Sequence, residues 1–141
     1  MSSYVELVAR SCYSLLHGAS VPGDLVEAAA GHGLTRLAIT DRDGVYGLPE
    51  AHLAGEKHGV GVICGAAITL VDAPPVVLLA EDLAGWGRLC RLLTDARARE
   101  PKGRARATVG RLIEAAGGLT CLLPDGWTPA TAGPLRDAFG S

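Results

Sequence analysis

The chain has 141 residues, 48% of them hydrophobic and 20% charged. That length and apolar supply fit one domain or a piece of a larger one and argue against intrinsic disorder. Thirteen basic against fifteen acidic residues give a formal charge of −2, so net charge calls for no polyanionic partner. There is no run of eighteen apolar residues, and Met1–Arg10 has no basic region followed by an apolar stretch. Neither a membrane span nor a secretory signal is therefore expected, and the expected location is cytoplasmic. Cys12, Cys64, Cys90 and Cys121 are unevenly spaced, with no CxxC, and each sits in or near an apolar run. Buried, reduced packing residues are the expectation.

Short β-like runs alternate with helical stretches along the chain, the pattern of βα units and a parallel sheet. Tyr4–Val8 reads as a first strand, and Ser20 as the N-cap of a helix that Pro22 begins and Gly33 ends. Arg36–Thr40 is the second strand, stopping at the polar turn Asp41-Arg42-Asp43-Gly44. A helix from Pro49 to His58 is closed by Gly59, and Val60–Cys64 follows as a strand that Ala67–Val71 could extend past Gly65. Pro74-Pro75 breaks the chain before the apolar strand Val76–Ala80. The longest helix is predicted over Leu83–Ala98, with Leu89, Leu92 and Leu93 facing the core. Glu100–Ala107 is a loop, and Thr108 caps a helix through Ala116 that Gly117-Gly118 closes. Leu119–Leu123 is the last strand, and Thr128 or Thr131 opens a final helix to Phe139.

Glu6–Ser20, read ELVARSCYSLLHGAS, resembles the opening pattern E-L-H-x-H-S-x-x-S-x-L-D-G-A-S of polymerase PHP (polymerase and histidinol phosphatase) domains. Ala38–Gly47 is similar to that family's A-L-T-D-H-x-G-x-Y-G, and Cys64–Leu70 resembles the block around its G-A-E-L. Val77–Trp86 and Leu89–Thr94 resemble its LLA…GY…LCRLLT stretch, and Lys102–Leu112 the K-G-x-x-R-L segment of its error-prone branch. The blocks occur in order across nearly the whole chain. The chain thus resembles the N-terminal half of the PHP domain of an error-prone C-family DNA polymerase III alpha subunit. The implied fold is α/β, with parallel βα units forming about half of a distorted seven-stranded (β/α) barrel. Residues 1–141 are expected to be one partial domain, with a basic loop at 97–107 between its two halves.

In this family, strand-end His, Asp and Glu side chains hold divalent metals such as zinc or manganese, which activate water and clamp phosphate oxygens. Two rings in an H-x-H pair share one strand face because side chains alternate. In this chain the resemblance places Val8 and Arg10 at the paired histidines, His17 at an aspartate, Arg42 at a histidine and Ala67 at a glutamate. Val and Ala donate nothing, and guanidinium repels a cation. Asp41 remains of the matching acids, with Asp43 beside it. These two could form a relic cation site. The preferred reading has them paired with Arg10 or Arg42, capping the strand-to-helix turn without metal, and it places all four side chains at the mouth of the strand ends.

His17 keeps a titratable group at a ligand-like position but reads as structural or exposed. His52 and His58, six apart, do not share a helix face, and His32 sits at a helix end where a cation suits the dipole. Arg97, Arg99, Lys102, Arg104 and Arg106 form a basic run with only Glu100 opposing it. The run could touch phosphates or an acidic partner, although a solvated loop is the simpler reading. It has no aromatic side chain to stack bases, so nucleic-acid binding is weakly supported.

The polymerase modules that follow in the family lie outside these residues, so no polymerisation is expected of the chain alone. The leading functional expectation is a catalytically inactive PHP remnant, needing no cofactor. It would serve as a scaffold or interaction module linked to DNA replication or translesion repair, as a homodimer or with a polymerase-related partner. Two alternatives stand beside it. One is a weak metal-dependent phosphoesterase using Asp41, Asp43 and His17 with ligands from a second chain. The other is a nonfunctional fragment of a split polymerase gene.

Overall fold

The computed structural model describes residues 4–98 and 100–140. Ten elements follow in chain order: β1 (Glu6–Ala9), α1 (Pro22–Gly31), β2 (Arg36–Arg42), α2 (Leu48–His58), β3 (Gly61–Ile68), β4 (Val76–Ala80), α3 (Leu83–Arg97), α4 (Val109–Glu114), β5 (Leu119–Leu122) and α5 (Pro129–Phe139). The strands hydrogen-bond in sequence order, β1-β2-β3-β4-β5. That sequential order belongs to a barrel-type α/β sheet, since doubly wound sheets reverse their strand order midway. The fold is therefore α/β, as the alternation of β and α segments implies.

The chain divides into two compact units, 1–66 and 67–141, and the boundary falls inside β3. The 97–107 segment lies within the second unit, and Arg97 is the last residue of α3.

In the first unit, β1 and β2 pair in parallel, with Glu6 opposite Leu37 and Ala9 opposite Ile39. Three steps along β1 therefore oppose two along β2, an irregularity of the bulge type just before the strand ends at Ala9. β2 runs two residues past the expected stop at Thr40. Leu37, Ala38, Ile39, Thr40 and Asp41 are all buried, so the strand is covered on both faces, and the polar Asp41-Arg42 pair continues it into the turn. α1 packs on α2. Val21, not Ser20, occupies the N-cap of α1, with Pro22 opening the first turn, and Gly59 ends α2 in the left-handed region at φ 70°.

In the second unit, β4 pairs with β5, Val77 facing Leu122 and Ala80 facing Leu119. This pairing is antiparallel, which corrects the expectation of parallel units throughout. Strand direction depends on how the whole α3–α4 connection returns, which local patterning does not report. The core of this unit gathers Val76, Leu78, Leu89, Leu112 and Leu135, all nearly inaccessible to solvent, with Leu92 and Leu93 beside them on the apolar face of α3. Polar side chains cap the helix starts of this unit, Thr108 and Thr128 as expected and Asp82 in addition. The Asp82 carboxylate accepts from Gly85 N at 2.6 Å, Thr108 Oγ1 from Arg111 N, and Thr128 forms a reciprocal capping box with Thr131. α4 stops at Glu114, two residues short of the expected Ala116.

The cysteines are half-buried, not fully buried as expected. Burial still pushes the Cys121 thiol up to about 11, so it stays protonated at neutral pH. Among the described residues, no helix is long and apolar enough to cross a membrane.

Two glycines of α3 make opposite demands. A Cβ on Gly85 would collide with the Gly118 carbonyl, so the chain can approach α3 closely only if residue 85 has no side chain. A Cβ on Gly87 meets nothing within 4 Å. Gly87→Ala is therefore expected to raise stability by about 0.5–1 kcal/mol through helix propensity and lost unfolded-state freedom. Gly85→Ala is expected to lower it. Urea unfolding of both variants checks the contrast, and equal effects would contradict the close approach.

Candidate functional site

Of the candidate metal positions of the first unit, His17, Asp41, Arg42 and Asp43 lie at the end of β2, whereas Val8 and Arg10 are exposed on and beyond β1. Asp41 is 2% exposed, and a carboxylate buried that deeply is costly unless donors surround it. Ser11 supplies two, its backbone N–H at 2.7 Å to Oδ1 and its hydroxyl at 2.6 Å to Oδ2. Ser14 Oγ adds a third at 2.6 Å to Oδ1. Both hydroxyls also accept: Ser11 Oγ from Tyr13 N at 3.2 Å, and Ser14 Oγ from Arg42 N at 2.9 Å. The 11–14 turn is thereby tied to the end of β2.

Two glycines make room for this arrangement. A Cβ on Gly47 would press against Pro22 Cγ at 2.8 Å, Asp41 Oδ2 at 3.1 Å and Ser11 Oγ at 3.2 Å. A Cβ on Gly18 would overlap the Ser11 carbonyl.

Arg42 follows Asp41 along β2 and points the other way, into solvent. Its Nε lies 3.6 Å from Asp43 Oδ2, and its Nη1 3.3 Å from His17 Nε2. Guanidinium can only donate, so the imidazole presents a lone pair at Nε2. The structure thus brings His17, Arg42 and Asp43 together, with Asp41 buried behind them and engaged by serines. The expected pairing of the two acids with Arg10 or Arg42 is met by Arg42 with Asp43, and corrected for Asp41, which the serines engage, and for Arg10, which is exposed beyond the end of β1. Asp41 is instead held by three hydrogen bonds from the two serines.

Val8 is exposed on β1. Nearby in sequence, Glu6 accepts from Tyr4 Oη at 2.6 Å and from Val8 N at 2.8 Å. The Tyr4 hydrogen bond is the main reason its carboxyl lies below the ordinary range. Ala67 is buried on β3 in the second unit and carries no donor atom.

These residues do not fit a divalent metal. Asp41 has its two oxygens committed to three donors, and a guanidinium stands between the remaining imidazole and carboxylate. Among the described residues, no three His, Cys, Asp or Glu side chains gather as a metal site. Ser11 and Ser14 are the residues to which sequence reasoning assigns no role. Their signal is present, since both serines stand in the S-x-x-S of the opening block.

Of the basic run, Arg97 is half-buried, while Lys102, Arg104 and Arg106 are exposed. Arg104 N donates to Pro101 O in a turn, and Arg106 N to Ala96 O. Arg99 lies outside the described residues.

Ser11→Ala and Ser14→Ala are each expected to cost about 1–3 kcal/mol, because each strips a donor from a buried carboxylate. Arg42→Ala, which removes an exposed pair, is expected to stay within about 0.5 kcal/mol. Urea denaturation of the three variants measures this. A larger loss for Arg42→Ala than for either serine would mean that the guanidinium holds the cluster.

The PHP domain family matches residues 6–139. An error-prone DNA polymerase of Anaeromyxobacter sp. (strain K) is 40% identical over 97% of this chain and 13% of its own length. One from Pseudomonas aeruginosa is 39% identical over 99% of this chain and 14% of its own. The chain thus spans about one seventh of the length of these curated relatives and is similar to their N-terminal region. A two-domain protein from Bacteroides vulgatus, containing a predicted PHP-like metal-dependent phosphoesterase, shares the fold. Its TM-score is 0.64 at 16% identity, over 96% of this chain and 41% of that one. An amidohydrolase from Chromobacterium violaceum superposes at TM-score 0.55 and 28% identity, over 67% and 33% of the two chains. With the family matched almost end to end and the fold shared, the chain belongs to the PHP domain family.

Proposed function

We propose that this chain is a PHP-fold module without metal-dependent hydrolytic chemistry, acting as a scaffold or interaction piece associated with error-prone DNA synthesis in the cytoplasm. The observation that carries the reading is the position of the Arg42 guanidinium, 3.3 Å from His17 Nε2 and 3.6 Å from the Asp43 carboxylate. A fixed monovalent cation there neutralises the carboxylate but cannot polarise a bound water to hydroxide, as a divalent metal does. Asp41 is no substitute base, because its hydrogen bonds hold it in place and burial separates it from solvent. The link to error-prone synthesis rests on the similarity to the error-prone polymerases.

The purified chain is expected to hold less than stoichiometric zinc, manganese or iron by elemental analysis. Hydrolysis of a generic phosphodiester with added manganese is expected to stay at background. One tightly bound metal per chain, or metal-dependent turnover lost on Asp43→Asn, would replace this proposal with a phosphoesterase.

The interaction role draws on exposed apolar side chains beside the same cluster. Leu15 and Leu16 are largely or fully exposed, and Leu16 adopts φ 66°, a conformation uncommon outside glycine. Tyr13 and Tyr46 stand next to each other, ring centroids 6.5 Å apart, and are about half exposed. Apolar groups held out in this way suit a contact with another protein surface. Self-association into a two-fold dimer is the proposed use, and light scattering at micromolar concentration is the measurement. Leu15→Ser with Leu16→Ser is expected to shift the mass from dimer to monomer. A monomeric wild-type chain would leave a polymerase-related partner as the occupant of that surface.

A further inference from the structure

An open cleft of about 680 Å³ runs along α3 and α4 in the second unit. Four arginines line it: Arg88 and Arg91 from α3, Arg106 from the preceding segment and Arg111 from α4. Two carboxylates, Asp95 and Glu114, share it, so the lining carries two positive charges in excess. This local excess stands against a chain whose formal charge is −2.

The arginines are not equally engaged. Arg111 Nη1 donates to Glu114 at 2.9 Å, with Asp95 also within electrostatic reach, and Arg88 Nη1 donates to Gly117 O at 2.6 Å. Arg106 meets Glu100 only at a loose 3.7 Å, and Arg91 has no carboxylate within ion-pair distance among the described residues. Arg91 and Arg106 are thus the donors with capacity to spare. Their placement is fixed by the backbone. Arg106 N donates to Ala96 O at 2.8 Å, and Ala107 bridges to Leu70, which holds the segment against the end of α3.

The floor of the cleft is Leu92, Ala96 and Ala107, all buried and apolar. It has no aromatic ring on which a base could stack and no deep pocket to anchor a peptide side chain. Affinity must therefore come from the rim, where guanidinium forks match phosphate oxygens two at a time. Arg88 and Arg91 are three apart on one helix, about 5–6 Å between Cβ atoms, a spacing suited to neighbouring phosphates of one strand. We propose that the α3–α4 cleft binds the phosphodiester backbone of duplex nucleic acid, without reading sequence, through Arg91 and Arg106 with Arg88 and Arg111 in support. The site is centred on the two helices and not on the 97–107 run, of which only Arg106 is needed. It is independent of the metal question, since none of its residues belongs to the first unit.

The test is fluorescence anisotropy of the full chain with a short labelled DNA duplex across a salt series. Binding is expected to fall linearly on a log–log salt plot. Arg91→Glu with Arg106→Glu should weaken it on the order of tenfold or more and flatten the slope by about one for each phosphate that is no longer neutralised. Arg136→Glu, an exposed charge reversal on α5, should reduce binding far less. Thermal melts of the variants establish that they are folded; should the double variant fail, Arg91→Gln alone gives the same comparison at the exposed α3 position. Absence of salt-dependent binding, or equal loss from Arg136→Glu, overturns the proposal. Inorganic pyrophosphate and a poly-glutamate peptide serve as competitors. Displacement by pyrophosphate at equal affinity overturns the duplex assignment in favour of a small phosphate ligand, and displacement by the peptide overturns it in favour of an acidic protein surface.

Discussion

The burial of one carboxylate organises the first unit. Asp41 sits at the end of β2 with almost no solvent contact, and an isolated ionised carboxylate there would cost several kcal/mol. Three hydrogen bonds from Ser11 and Ser14 meet that cost, and they do so only if the 11–14 turn lies directly against the strand end. The glycines at 18 and 47 then become requirements of geometry, because any side chain would push the turn or α2 off the cluster. Leu15 and Leu16 follow the inward-turned Ser14 directly and face solvent.

This arrangement also decides what the site can do. Asp41 already accepts three hydrogen bonds, from two hydroxyls and one amide, which fix its orientation. Arg42, alternating to the opposite side of the strand, places a permanent positive charge beside the other two groups that could ligate. The Asp43 carboxylate is thus paired with a cation from within the chain, and Asp41 is held by neutral donors.

Much of the scaffold is readable from residues in a row. The apolar spacing of Leu89, Leu92 and Leu93 gives the buried face of α3, and Thr108 and Thr128 mark helix starts that the capping bonds occupy. What escapes is non-local. β2 is expected to stop at Thr40 because Asp41-Arg42 looks like a turn, yet an inward Asp matched by two serines some thirty residues upstream belongs to the strand. The antiparallel course of β5 depends on the path of a whole connection. The metal positions are legible as substitutions, whereas the serine partners of Asp41 are visible only as letters in a motif.

The charge distribution follows the same logic. A linear scan finds the run of five cations between Arg97 and Arg106, because contiguity is all it can see. Folding gathers a different set, since helix periodicity puts Arg88 and Arg91 on one face and the return through α4 brings Arg111 to the same cleft. Of the described residues of the linear run, only Arg106 joins them. Its neighbours Lys102 and Arg104 lie in exposed chain around a tight turn, where water screens each charge separately. Cations around a concave, partly apolar wall reinforce one another, because low-dielectric walls confine their field lines. Where charge converges in space therefore matters more than how densely it is written in the sequence, and in the second unit that place is the α3–α4 cleft.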